Sequence, residues 1–216
     1  MKLFRQRSRI AAFTLNELLV IIAVAVVLAA LAVSASAKAK EKSRKIGCNC
    51  RLKQIGLSFR IFANDRGDAF PMGLSTNKGG SMEYVTTGEV FRHFRAMSNE
   101  LSTPKVLVCP ADTRSAAPTF AVLNNFNISY FVGADATDTF PQSLLAGDRN
   151  LMTNGVPVGS GLLVLTTHVT VGWTAAQHKH SGNVVLGDGS VQQFTSARLQ
   201  EQSADSGVAT NRLLIP

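Results

Sequence analysis

Three groups of residues have types and spacing that could do chemistry. The first is His178-Lys179-His180 followed by Asp188-Gly189. A His–Asp dyad could serve as a general base with its orienting carboxylate, but it needs a nucleophile and an oxyanion site beside it. The chain has no G-x-S-x-G or similar element. His178 and His180 could share a metal, but two histidines without a third ligand do not make a zinc pattern. Asp188 and Gly189 suit a tight turn instead, the carboxylate tying the backbone and the glycine supplying φ > 0. No residue is therefore assigned a catalytic role, and an enzyme is not expected.

The second group is the three cysteines, Cys48, Cys50 and Cys109. Cys48 and Cys50 lie two apart in a helical pattern, point to different faces and should not bridge each other. Cys48 falls on the apolar stripe of that pattern, so Cys48–Cys109 is the favoured disulfide, with Cys50 left free; three reduced cysteines is the other reading. A zinc set of all three with a histidine lacks the C-x2-C spacing, so no metal is assigned.

The third is Glu17, a carboxylate just ahead of a run from Leu18 to Val33 that has no charged or polar side chain. From Phe13 to Val33 a helix at ~1.5 Å per residue would be about 31 Å long, close to the ~30 Å hydrocarbon core of a bilayer. A carboxylate inside such a segment costs on the order of 2.5–3.5 kcal/mol at the bilayer centre, which makes it a functional candidate.

These groups must be positioned by a small number of elements. Cys48, Leu52, Ile55, Phe59 and Phe62 recur at helical spacing, and Gly67 suits a C-cap. One long helix from Phe13 to about Ala63 is expected. Thr86-x-x-Glu89 resembles a capping box and opens a short helix over Gly88–Asn99. Lys105–Cys109 reads as a buried strand between Pro104 and Pro110. Further strands are expected at Ile128–Gly133, Ser143–Asp148, within Gly161–Val171, and at Val184–Gly187 and Ser190–Phe194. Asn154-Gly155 is a two-residue hairpin signal.

The charge of +8 shrinks once the leader is set aside. Without Lys2, Arg5, Arg7 and Arg9, 18 basic residues face 14 acidic ones. Much of that excess lies in one run from Lys38 to Lys53, read as a solvated helix face. Nucleic-acid recognition needs a basic stripe with aromatic or groove-reading elements, and none is evident, so no nucleic-acid partner is expected.

The basic leader, a small residue and then Phe13-Thr14-Leu15-Asn16-Glu17-Leu18-Leu19-Val20 resemble the class III signal of type IV pilins and type II secretion pseudopilins. The resemblance implies cleavage by a prepilin peptidase between Ala12 and Phe13, N-methylation of Phe13, and assembly through Glu17 pairing with a neighbouring subunit's N-terminal amine. Cys48-Asn49-Cys50-Arg51-Leu52-Lys53-Gln54-Ile55-Gly56, together with His178 and Asp188-Gly189 nine residues beyond it, is similar to bacterial prepilin-like proteins with an H-X9-DG tail. The implied fold is α+β and pilin-like. A long N-terminal helix, its first half transmembrane, packs on a small antiparallel β-sheet head.

The corresponding division of the chain is a leader at 1–12, a transmembrane helix at 13–36, the exported half of that helix at 37–64, and a head at 65–216 with the H-X9-DG hairpin at 178–194. The implied role is a structural subunit of a type II secretion pseudopilus or type IV pilus-like filament. Its place would be a single pass through the cytoplasmic (inner) membrane with the C-terminal domain outside. Its partners would be prepilin peptidase, sister subunits, an inner-membrane assembly platform and the lipid bilayer. No cofactor is implied beyond calcium, which some type II pseudopilins bind near the C-terminal sheet; Asp148 and Asp188 are the oxygen candidates. The competing reading is a secretory signal peptide ending at Ala35-Ser36-Ala37, which would release a periplasmic binding protein or hydrolase after Ala37.

Overall fold

The computed structural model describes residues 14–166 and 168–216. The chain divides into two compact units, Met1–Lys42 and Ser43–Pro216. Helix α1 runs from Leu15 to Asn64. In the first unit its large apolar side chains, from Leu15 to Leu28, are exposed.

Among the described residues no helix is long and apolar enough to cross a membrane. This corrects the expected transmembrane first half of the helix and the single-pass inner-membrane placement. The expectation of a pilin-like fold with a small β-sheet head is corrected with it, because two β-sheets dominate the second unit.

In that unit α1 turns amphipathic. Cys48, Leu52, Ile55, Phe59 and Phe62 are fully buried. The helix stops where Gly67 takes φ +65, and Asp68 N–H bonds back to the Ala63 carbonyl. After short 3-10 turns come α2 (Val90–Ala96) and α3 (Ser98–Leu101). The stretch expected as a strand at Lys105–Cys109 begins instead as a 3-10 turn, Pro104–Leu107. Pro104 presets a helical φ at its first position, and the Thr103 side chain accepts from Lys105 N–H, so the local chemistry favours a turn.

Among the described residues nine strands follow in chain order: β1 (Tyr130–Gly133), β2 (Leu144–Asp148), β3 (Leu151–Thr153), β4 (Val156–Pro157), β5 (Gly161–Leu165), β6 (Val171–Trp173), β7 (Ser181–Leu186), β8 (Val191–Thr195) and β9 (Asn211–Ile215). Helix α4 (Ser196–Ala204) lies between the last two, capped by the Thr195 side chain. The larger sheet is antiparallel in the order β5-β9-β1-β2-β7-β8, and the smaller is β4-β3-β6. Asn154-Gly155 joins β3 to β4 with both residues at positive φ, the backbone a type I′ turn requires.

The larger sheet separates two cores by strand alternation. Tyr130, Val132, Val185 and Leu214 point to the side packed by α1, with Phe59, Phe62 and Phe94. Phe131, Val184, Leu186, Leu213 and Ile215 point to the other side, with Trp173 and Leu199. A register shift between Leu144 and Ala146 lets the consecutive Leu145 and Ala146 both enter the α1-side core.

Helix and hairpin approach closely where two glycines meet. A Cβ on Gly56 would lie 2.8 Å from Val185 Cγ1 and 3.0 Å from the Gly189 carbonyl oxygen. Gly189 itself has φ +82. Gly56→Ala should therefore destabilise the fold by roughly 1–3 kcal/mol through overpacking, despite alanine's better helix propensity. A lower urea midpoint with an unchanged m-value would show this; a raised midpoint would contradict the tight approach.

Candidate functional site

Four buried side chains from four separate segments converge on the α1 side of the larger sheet. Cys48 comes from α1, Cys109 from the loop after the Pro104 turn, Asp148 from the end of β2, and His178 from the loop before β7. Their ligand-type atoms all lie within 4.8 Å of one another. Each residue is at most 1% exposed.

Cys48 Sγ donates to Asp148 Oδ1 at 3.1 Å and lies 3.5 Å from the Tyr130 hydroxyl. Cys109 Sγ is 3.4 Å from His178 Nε2, and the same nitrogen is 3.3 Å from Asp148 Oδ2. Asn183 donates to Asp148 Oδ2 twice, from its backbone N–H at 2.7 Å and from Nδ2 at 2.9 Å.

Each segment is locked by its neighbours. A Cβ on Gly47 would stand 3.1 Å from Pro110 Cγ, so α1 runs close against the Cys109-Pro110 turn. Arg51 donates to the Val108 carbonyl. Arg149, next to Asp148, makes a two-pronged bond to Asp112, at 2.8 and 2.9 Å. Asn150 N-δ2–H reaches the carbonyls of Thr174 and Ser181, at the two ends of the His178 loop. Ser181 Oγ donates to the His178 carbonyl at 2.6 Å.

The electrostatics follow from burial. Burial pushes the Asp148 carboxyl up to about 6, although His178 and the Asn183 N–H groups pull the other way. Burial likewise drives the Cys48 thiol upward. Cys109 is lowered to about 5 by the hydrogen bond from Cys48, with help from His178, against its own burial. For His178, burial works against the imidazolium, but Cys109 and Asp148 outweigh it and raise the value. The two thiols are thus pushed in opposite directions, Cys48 up and Cys109 down.

The sequence-derived residues are distributed unevenly around this cluster. Cys48 and Cys109 are brought together as expected, but as free thiols. Cys50 is also free and lies exposed. His178 joins the cluster; His180 does not. Lys179 and His180 both take positive φ, and His180 lies exposed with Nδ1 3.3 Å from the Trp173 carbonyl.

Asp188 lies exposed in the β7–β8 turn, where its Oδ1 accepts from Ser190 N–H at 2.8 Å. Asp188 and Gly189 thus act on the turn. The two calcium candidates sit in different environments, Asp148 buried and Asp188 exposed. Glu17 is exposed at the start of α1, accepting from the Thr14 backbone N–H and hydroxyl at 2.9 and 2.8 Å. Ala12 and Phe13 lie outside the described residues.

Asp148 as the hub is what the sequence reasoning missed. The signal was present in the fragment Ala146-Gly147-Asp148-Arg149-Asn150, where three consecutive polar residues follow a buried strand. No family model matches the chain, and no curated protein or solved structure does either.

Asp112 supplies a pH test of the clamp. Burial alone would raise its carboxyl, but Arg149 outweighs that and holds it at about 2, below the ordinary 3.8. A folded-state value below the unfolded one contributes stability that is complete above pH ~4 and is lost as pH falls towards 2. The loss should be on the order of 2 kcal/mol. Urea unfolding at pH 5 and pH 2.5 measures it, and Asp112→Asn should flatten that part of the profile.

Proposed function

We propose that the chain is a structural subunit of a pilus-like or type II secretion pseudopilus filament, assembled through its N-terminal helix after prepilin-peptidase cleavage between Ala12 and Phe13. The role is architectural rather than chemical. One observation carries this reading. Leu15, Leu18 to Ile22, Val24 and Val26 to Leu28 of α1 are all between 51% and 82% exposed. Because they are nearly consecutive, they cover every face of the helix. A helix that is apolar all round is stable only when something packs around it, and an apolar surface of this kind marks an interaction site. The proposed occupants are the same helices of sister copies.

Glu17 fits that arrangement. The Thr14 backbone N–H and side chain hold its carboxyl below the ordinary value, so it is ionised and ready to meet a neighbour's N-terminal ammonium. A carboxylate and an ammonium placed among packed apolar helices are tolerated as a pair, and removing one partner is costly. The closed character of the Cys48–Cys109–Asp148–His178 cluster also supports an architectural role, because side chains buried on all sides offer no face to a substrate.

Glu17→Ala in the full-length chain should abolish incorporation into sedimentable or cross-linked oligomers and leave the circular dichroism of the head unchanged. Normal incorporation of that variant would refute the assembly reading.

A further inference from the structure

We infer that Cys48, Cys109, His178 and Asp148 form a closed, structural zinc site that staples α1 to the larger sheet. The argument starts from donor chemistry. Two thiolates, an imidazole and a carboxylate form a mixed S, N, O set that suits zinc, whereas calcium and magnesium take all-oxygen shells. Four protein ligands with no open position are the mark of a structural zinc site.

Geometry supports the assignment. A zinc tetrahedron with bonds of ~2.3 Å to sulfur and ~2.0–2.1 Å to nitrogen and oxygen has edges of roughly 3.3–3.8 Å. The distances here are 3.1 Å from Cys48 Sγ to Asp148 Oδ1, 3.4 Å from Cys109 Sγ to His178 Nε2, and 3.3 Å from that nitrogen to Asp148 Oδ2. These distances reach Asp148 through both of its oxygens, and one ligand atom from each of the four residues lies within 4.8 Å of the other three, a span that rotation of the carboxylate and thiols would tighten onto one ion.

Part of the outer shell is in place, around the carboxylate and the His178 backbone, while His178 Nδ1 is buried without a hydrogen-bond partner. Asn183 fixes Asp148 with two N–H donors, the kind of support that orients a ligating carboxylate. The Ser181 hydroxyl holds the His178 backbone, and Gly47 lies close to Pro110 beside the two cysteines. The nearest competing chemistry is a Cys48–Cys109 disulfide, which would remove both thiolates and leave His178 and Asp148 as a pair. On zinc binding any proton held on the two sulfurs or on His178 Nε2 passes to solvent, and the metal charge takes its place against the buried carboxylate.

The test uses the full-length chain, reduced, stripped with a chelator and titrated with zinc chloride or cobalt chloride. A single zinc per chain should survive gel filtration. Cobalt should give a thiolate charge-transfer band in the near ultraviolet and the intense visible bands of a tetrahedral site. Cys50→Ser, outside the cluster, should bind as the unaltered chain does. Asn183→Ala should weaken zinc binding on the order of 10–100-fold, and His178→Ala by at least as much. The cobalt spectrum needs no variant, so a misfolded substitution leaves the test intact. Reduced protein that retains no zinc and gives no cobalt band would overturn the assignment, as would octahedral cobalt bands. Protein from native cells that carries a Cys48–Cys109 disulfide and no zinc would do so as well.

Discussion

A carboxylate with no exposure to water governs this fold. Asp148 is completely buried, and an isolated buried charge is far more costly than a domain can tolerate. Its environment is therefore a set of compensations. Asn183 supplies two N–H donors from β7, Cys48 supplies a thiol from α1, and His178 supplies a ring nitrogen from the loop before β7. These groups lie far apart in sequence, so the carboxylate is satisfied only when helix, strands and loop are all in place. Breaking a buried pair of this kind by removing one member typically costs about 3–5 kcal/mol. The cluster thus makes the docking of α1 on the sheet conditional on the correct loop conformations, a conditionality that apolar contacts alone do not provide.

What was legible in the sequence was what is decided locally. The stripe from Cys48 to Phe62 follows from helical periodicity, the β3–β4 hairpin from Asn154-Gly155, and the β7–β8 turn from Asp188-Gly189, because each is fixed by a few adjacent residues. Lys105–Cys109 has an apolar run without a period, which resembles a buried strand, and Pro104 with the Thr103 cap decides in favour of a turn. His178 and His180 looked like a pair only on the assumption of a strand. The left-handed backbone at Lys179 and His180 separates them. The four-residue cluster left no spacing signature, since its members are brought together by sheet register and helix docking. Each nevertheless sits in a fragment that stood out in the sequence: Cys48 in the helix motif, Cys109 before Pro110, Asp148 in the run to Asn150, and His178 in the tail.

The expectation for the N-terminal helix failed for a different reason. It rested on the length of an uncharged run, whereas among the described residues no helix is long and apolar enough to cross a membrane. The two ends of α1 have different chemistry. Its first part is apolar on every side and exposed, whereas its later part, from Ser43, has one buried stripe and a charged face. Lys42, Arg44 and Lys45 stand where the character changes. An all-round apolar segment gives no preference to one partner direction, which suits a helix surrounded by copies of itself. An amphipathic one has a single packing direction, which suits a helix laid on one sheet.

The position of the cluster also explains why a staple is useful there. Between the end of α1 and β1 the chain runs through short helices and 3-10 turns with few ladder bonds. Ordering such a stretch costs backbone entropy without the return that a sheet gives. It is held mainly by side chains: Arg114 donates to the carbonyls of Asn125, Ile128 and Pro216, Arg95 to those of Ala121 and Leu123, and Asp112 accepts from Arg149. Cys109 is the point at which this irregular stretch touches both α1 and the sheet. A bond at Cys109, to sulfur or to metal, closes a long loop against Cys48, and closing long loops is where a cross-link has the most entropy to remove from the unfolded chain. The same reasoning gives Cys50, one turn-face away and exposed, no part in the staple. Two cysteines separated by one residue therefore differ in role because only one of them faces the carboxylate.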